Sequence, residues 1–175
     1  HADFRPISIT PVLTRVMERT VVRRFIYPAL ITPPPSLSFS DQFAFRPTGS
    51  PTAPIITLLN AITNLLITNP YVIVISLDFS KAFDTVWHST LLEKLAQLDI
   101  PDNVYNWLVN FFSGHLHCIQ YSGQTSTLKD ITASIIQGSG IGPAAYVVNA
   151  GDLLAVTPGN QLCKFADDTY LIVPA

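Results

Sequence analysis

Two aspartates, Asp167 and Asp168, stand side by side between the apolar runs QLCKF and TYLIV, and a third, Asp78, closes the run YVIVISL. Two carboxylates about 4 Å apart repel by ~1 kcal/mol in water and ~4 kcal/mol near a protein surface, so such a pair calls for open solvent or a cation. The flanking runs read as short strands, which makes Ala166-Asp167-Asp168 the turn of a hairpin. The run before Asp78 is rich in β-branched residues and reads as a buried strand with the acid at its C-terminal end. Three carboxylates on adjacent strand ends form an oxygen-donor site suited to magnesium, which keeps several waters and completes its shell with substrate phosphates. Two such ions about 3.5–4 Å apart activate a hydroxyl and stabilise the leaving oxygen of an in-line phosphoryl displacement. Taken alone, an Asp-Asp turn is more often merely solvated, so the rest of the chain decides.

The elements that must hold these acids follow from periodicity. Around ITPVLTRVMERTVVRRFIYPAL, the residues Leu13, Val16, Met17, Val22, Phe25 and Ile26 recur at helical spacing behind Pro11, predicting an amphipathic helix with an arginine face. ITPPPSLSFS is an extended connector, and PIITLLNAITNLLITNP is a second helix that Asn69-Pro70 ends. After the strand leading to Asp78, KAFDTVWHSTLLEKLAQLDI reads as helical, and PDNVYNWLVNFFSG as a helix from Pro101 to Gly114. A hairpin turning in the region 122–126 and a helix beginning near Pro143 precede the final pair of strands. The expected fold class is therefore α/β, more strictly α+β.

Composition bounds the function. With 175 residues, 48% of them hydrophobic, the chain can bury one sizeable core or form one large domain with a lobe attached. Charged residues are only 13%, against ~25% in ordinary soluble domains, so part of the surface is expected to be apolar. Residues 1–46 hold all six arginines against Asp3, Glu18 and Asp41, giving +3, whereas residues 47–175 hold four lysines against nine acids, giving −5. The basic front suits phosphates and the acidic remainder suits divalent cations, but the chain lacks the strongly basic balance of a protein that grips nucleic acid unaided. No signal-peptide pattern and no apolar run long enough for a bilayer is present, so no membrane role is expected. Cys118 and Cys163 make no disulfide framework, fit a reducing intracellular compartment, and read as buried apolar thiols; His88, His115 and His117 form no zinc pattern with them.

In chain order, FRPISI, QFAFRPTGS, SLDFSKAFDTV, IIQGSGIGP and KFADDTY resemble the successive motifs of reverse transcriptases, most closely those of non-LTR, LINE-like retrotransposons, over about residues 3 to 173. The resemblance implies an RNA-directed DNA polymerase with fingers-like residues 1–70 and palm residues 71–175, the palm an antiparallel sheet backed by helices. It implies that Asp78, Asp167 and Asp168 are catalytic and bind two magnesium ions, with manganese as an alternative; Asp78 and Asp167 rank first because the second acid of a turn pair can point away. Phe83 corresponds to a steric gate against the 2′-hydroxyl of a ribonucleotide. Phe79, Gln137 and Gly138 correspond to nucleotide- or template-binding positions, and Arg5 and Arg46 to phosphate-binding arginines of the fingers. Lys81 and Asp84 also fit the pattern, although a helix-surface role explains them equally well, and Arg15, Arg19, Arg23 and Arg24 read as a solvated helix face.

The implied partners are an RNA template, a DNA primer, dNTPs and the remainder of a larger retrotransposon polyprotein, acting in the nucleus. Because the family continues beyond the aspartate turn with the rest of the palm, a primer-gripping hairpin and a helical thumb, a fragment without the thumb is expected. Ala44 replaces the family's glycine, Ile136 its proline, and Gly140 and Ala144-Ala145 stand where bulkier or charged residues are usual. These departures leave a second reading open, an inactive pseudo-polymerase with at most weak RNA binding. An RNA-directed RNA polymerase or an intron maturase is a third, against which Phe83 argues.

Overall fold

Pro11 opens the first helix of the chain, for which a computed structural model describes residues 10–47 and 49–175. Helix α1 (Val12–Val21) continues through a π-helical stretch (Val22–Ile26) into the short α2 (Tyr27–Ala29). At 3.6 residues per turn, Glu18, Val22, Ile26 and Ala29 share one stripe, and all four are buried. Leu13, Val16 and Met17 lie on the other side and are exposed. The single apolar face expected from Leu13 to Ile26 is thus split, and the buried stripe includes a glutamate.

The proline-rich connector delivers Leu37 and Phe39 to the core. Helix α3 (Thr52–Leu65) ends where Asn69 Nδ2 donates to the Leu65 carbonyl at 2.8 Å, as the Asn-Pro signal predicts. Strand β1 (Val72–Leu77) follows, then α4 (His88–Leu95) and α5 (Asp102–Phe112). The helix expected from residue 81 does not start until His88. Residues 80–85 form a turn in which Lys81, at φ +53°, accepts from the amides of Asp84 and Thr85. Residues 86–88 are then drawn straight by pairing with 132–134, through Ser134 N to Val86 O and His88 N to Thr132 O. His88 is buried, with Nδ1 2.9 Å from Phe112 O and Nε2 2.8 Å from Ser134 O, tying α4 to the end of α5 and to the segment that leads into Gln137.

Four two-residue strands make the expected hairpin region: β2 (Leu116–His117) pairs with β5 (Lys129–Asp130), and β3 (Gln120–Tyr121) with β4 (Gln124–Thr125). Its tip is Ser122-Gly123, both at positive φ as a tight hairpin requires. Helix α6 (Gly142–Asn149) begins beside Pro143, and a 3-10 turn (Ala150–Asp152) leads to β6 (Gln161–Phe165) and β7 (Asp168–Pro174).

The main sheet is antiparallel, in the order β1-β7-β6, with α3 packed on β6 and β7. The apolar core lies among the helices, where Ile26, Leu91, Leu95, Leu108, Val147 and Val148 are almost wholly buried. Each such side chain contributes about 1.5–3 kcal/mol on leaving water. Strand β1 is not buried as expected: it lies at the sheet edge, and Ile73, Val74 and Ile75 are 40 to 48% exposed. Its apolar run records two faces that need cover, of which the described residues supply little. Cys163 is buried, but Cys118 is exposed, because it follows the two-residue strand β2 in an otherwise exposed hairpin. Among the described residues no helix is long and apolar enough to cross a membrane.

Candidate active site at the hairpin end

Phe165 pairs with Asp168, so the turn is Ala166-Asp167 and Asp168 is the first residue of β7, not part of a three-residue turn. Ala166 has φ +56°, at the first turn position where glycine is usually needed. Strain of that kind persists only where surroundings over-determine it. Here they do: the buried Gln42 side chain accepts from Ala166 N at 3.0 Å through Oε1 and donates through Nε2 to Ala166 O at 3.3 Å. Residues 41–43 run beside β6, with Lys164 N donating to Asp41 O at 2.7 Å and Phe43 N to Lys164 O at 2.9 Å. The hairpin end is therefore clamped by a segment more than a hundred residues away.

Asp78 follows Leu77, whose partner across β1 and β7 is Thr169; Asp168 precedes Thr169. Asp78 and Asp168 thus stand at the same end of neighbouring strands, with Asp167 one residue further into the turn. Among the described residues no three His, Cys, Asp or Glu side chains are gathered closely enough to cage a metal ion. That arrangement still fits magnesium by donor chemistry, since magnesium takes one or two carboxylates and leaves the rest of its shell to water and phosphate.

Beside the turn lies a cleft of about 420 Å³ lined by Arg19, Phe83, the segment 135–139, Gly142, Pro143 and Asp167. Phe83 comes from the turn after β1, and its ring stacks on Tyr146 of α6 at 4.3 Å and meets Phe45 edge-on at 6.3 Å. Gln137 Nε2 donates to Asp84 Oδ1 at 3.4 Å, giving Asp84 a positioning role that a helix surface would not. Gly138 has φ +101°, a conformation that a side chain would strain. Three separate segments thus bring an aromatic wall, an amide beside an open backbone, and a carboxylate to one cleft.

Burial, then the nearby carboxylates of Asp167 and Asp168, push the Tyr146 hydroxyl up from the ordinary 10.0 to about 12. The folded state therefore keeps a proton that the unfolded chain releases on passing pH ~10. Stability from this group is complete below that pH and falls as pH climbs toward the folded value, by up to ~1.4 kcal/mol per unit. Tyr146→Phe is expected to remove this slope, read as the difference between the denaturant stabilities of the two chains across that window.

Asp168 lines a different cavity, with Pro51, Ile55, Leu58 and Cys163 beside α3. Phe79 also lies apart from the cleft, in a cavity of about 300 Å³ with Trp87, Lys94 and Tyr146, so the Phe83–Tyr146 stack stands between the two. Arg46 Nη1 donates to the carbonyls of Phe39 at 2.6 Å and Gln42 at 3.4 Å, and its side chain lines a third cavity, of about 720 Å³, with Arg23 and Tyr27. Arg5 lies outside the described residues. The small residues at the departures have packing reasons. Ala144 and Ala145 are fully buried, on the helix that packs against α4, and a Cβ on Gly140 would stand 2.9 Å from the Arg15 carbonyl. Sequence reasoning passed over Gln42, Glu18 and Tyr146; only Glu18 left a signal, its i, i+4, i+8 spacing to Val22 and Ile26.

The mixed helix-and-strand fold agrees with sequence comparison. The chain belongs to the reverse transcriptase (RNA-dependent DNA polymerase) family, whose model matches residues 1–175. It is similar to the RNA-directed DNA polymerase from mobile element jockey of Drosophila melanogaster, 29% identical over 97% of this chain and 19% of that protein. It is also similar to the probable RNA-directed DNA polymerase from transposon X-element of the same species, 27% identical over 95% of this chain and 18% of that protein. A third relative, the Pol polyprotein from type-1 retrotransposable element R1 of Bradysia coprophila, is 32% identical over 60% of this chain and 10% of its own length. The chain spans about a fifth of the length of the first two.

Proposed function

We propose that this chain carries the nucleotidyl-transfer site of an RNA-directed DNA polymerase from a non-LTR retrotransposon, with residues 1–70 serving as fingers and 71–175 as palm. The observation that carries this reading is the convergence of Phe83, Gln137, Gly138 and Asp167 on one cleft, at the end of the sheet where Asp78 and Asp168 close neighbouring strands. Asp78, Asp167 and Asp168 would hold magnesium, which when bound activates the primer hydroxyl and neutralises charge developing on the phosphates. In the reaction the primer 3′-oxygen bonds to the α-phosphorus of a dNTP, its proton passes to solvent, and the bond to pyrophosphate breaks. Phe83, backed by Tyr146, presents a rigid wall to the sugar and excludes a 2′-hydroxyl by clash. Gln137, steadied by Asp84, offers a donor and an acceptor to the nascent base pair, and Gly138 lets the strand approach closely.

RNA template, DNA primer and the rest of a Pol polyprotein are the proposed partners. The exposed faces of α1, α3 and β1 are the surfaces on which other parts of such a polyprotein, the thumb among them, would pack. Copying into genomic DNA would place the protein in the nucleus, which imaging of the tagged polyprotein checks. Primer extension with dNTPs or rNTPs tests the chemistry. Wild type is expected to incorporate dNTPs, and Phe83→Ala to raise rNTP use by about ten- to a hundredfold. Unchanged sugar choice in Phe83→Ala would remove the gate, and nucleotide binding with no extension at all would favour the inactive pseudo-polymerase.

A further inference from the structure

Of the three acids at the sheet end, Asp167 is the one whose place depends on a turn. Asp168 lies in β7 opposite Phe165 and Asp78 directly follows β1, whereas Asp167 is carried by Ala166 at φ +56°. The two peptide planes that meet at the Ala166 Cα are rigid, so their orientation fixes where the Asp167 Cα stands and where its side chain starts. Gln42 holds both planes. Its Oε1 accepts from Ala166 N, which belongs to the first, and its Nε2 donates to Ala166 O, which belongs to the second. Oε1 also accepts from Ala44 N at 3.0 Å, so both its lone pairs are used, and the side chain is 1% exposed with no acceptor left for a ligand. The Gln42 carbonyl is itself held by Arg46 Nη1. Positive φ is disfavoured for alanine, so without these bonds the joint would relax toward other torsions and carry Asp167 with it.

We propose that Gln42 is a positioning residue of the metal site: by fixing both peptide planes at Ala166 it aims the Asp167 carboxylate at a divalent cation, without touching substrate. The inference rests on the polymerase reading and deepens it, giving a role to a residue that the sequence motifs leave unassigned. Its test pairs steady-state primer extension by the longer polyprotein that contains this chain with manganese binding to this chain, read by electron paramagnetic resonance. Gln42→Met keeps the volume and removes all three side-chain bonds. It is expected to lower kcat by about ten- to a hundredfold with the KM for dNTP unchanged, and to weaken manganese by about tenfold. Ala166→Gly, added to Gln42→Met, supplies a residue at ease at positive φ and should return Tm toward the wild-type value. The freer joint should leave kcat and manganese affinity low, and if the single variant fails to fold, the double variant carries the comparison.

Wild-type kcat or wild-type manganese affinity in the Gln42→Met background overturns the assignment, as does an absence of manganese binding in wild type. Recovery of kcat together with Tm in the double variant also overturns it, since Gln42 would then only offset strain at Ala166. A change confined to KM would overturn it by placing Gln42 on the substrate. The two readings fail separately. Manganese binding that is lost in Asp167→Asn and weakened in Gln42→Met, by a protein that never extends a primer, would support the positioning role and sink the polymerase reading. Extension that needs Asp167 but not Gln42 would do the reverse.

Discussion

On the proposed reading, primer extension on an RNA template is expected to fall by at least about 10²–10³-fold when Asp167 is replaced by Asn, while the melting curve of the chain stays where it was. The substitution keeps size and shape, and the turn does not depend on the carboxylate, because Gln42 holds Ala166 through the backbone. What disappears is one negative oxygen donor in the cleft that also holds Phe83 and Gln137. Asp78→Asn is expected to behave alike. Asp168→Asn should cost less, since Asp168 lines the cavity beside α3 rather than the cleft. Run with this chain and with the longer polyprotein that contains it, the assay would count against the site if Asp167→Asn retained wild-type synthesis in both.

The second large effect is on stability. Lys164 lies on β6 three residues before Asp167 of the hairpin turn and is 1% exposed. Its ammonium donates to Ala150 O at 3.1 Å and Leu153 O at 3.0 Å and stands 3.1 Å from Asp41 Oδ1. Lys164→Met removes the cation from a largely buried carboxylate and leaves two carbonyls without their donor, a loss of about 3–5 kcal/mol. For a chain of this length that lowers Tm by roughly 10 °C. The Asp41→Asn, Lys164→Met double variant should be less destabilised than the sum of the two single changes, because the stranded charge is gone. A loss below about 1 kcal/mol in Lys164→Met would show that the buried ion pair is not holding residues 41–43 to the hairpin.

Local patterns explain what could be read in advance. The 3.6-residue spacing of VYNWLVNFF between Pro101 and Gly114, the Ser-Gly turn of the small hairpin, Pro143 at the start of α6 and the strands on either side of the acid pair all depend on neighbours within a few residues. So do the five ordered motifs, which carry the family and the acids at the end of the sheet. Helix α4 starts later than its periodicity predicts because residues 86–88 are held straight by pairing with residues 132–134, a partner that no local pattern reveals.

The sequence by itself therefore determined the family, the α+β class and which carboxylates stand at the hairpin end. Among the described residues, only the tertiary structure decided which polar groups are internal and which arginine lines the cleft. Gln42 reaches Ala166 across 124 positions and Glu18 reaches Gly140 across 122, and a polar side chain becomes a buried strut only when such a distant partner satisfies its hydrogen bonds. The same logic turned Arg46 inward and left Arg19 at the cleft, although in the sequence both are arginines in a basic front section.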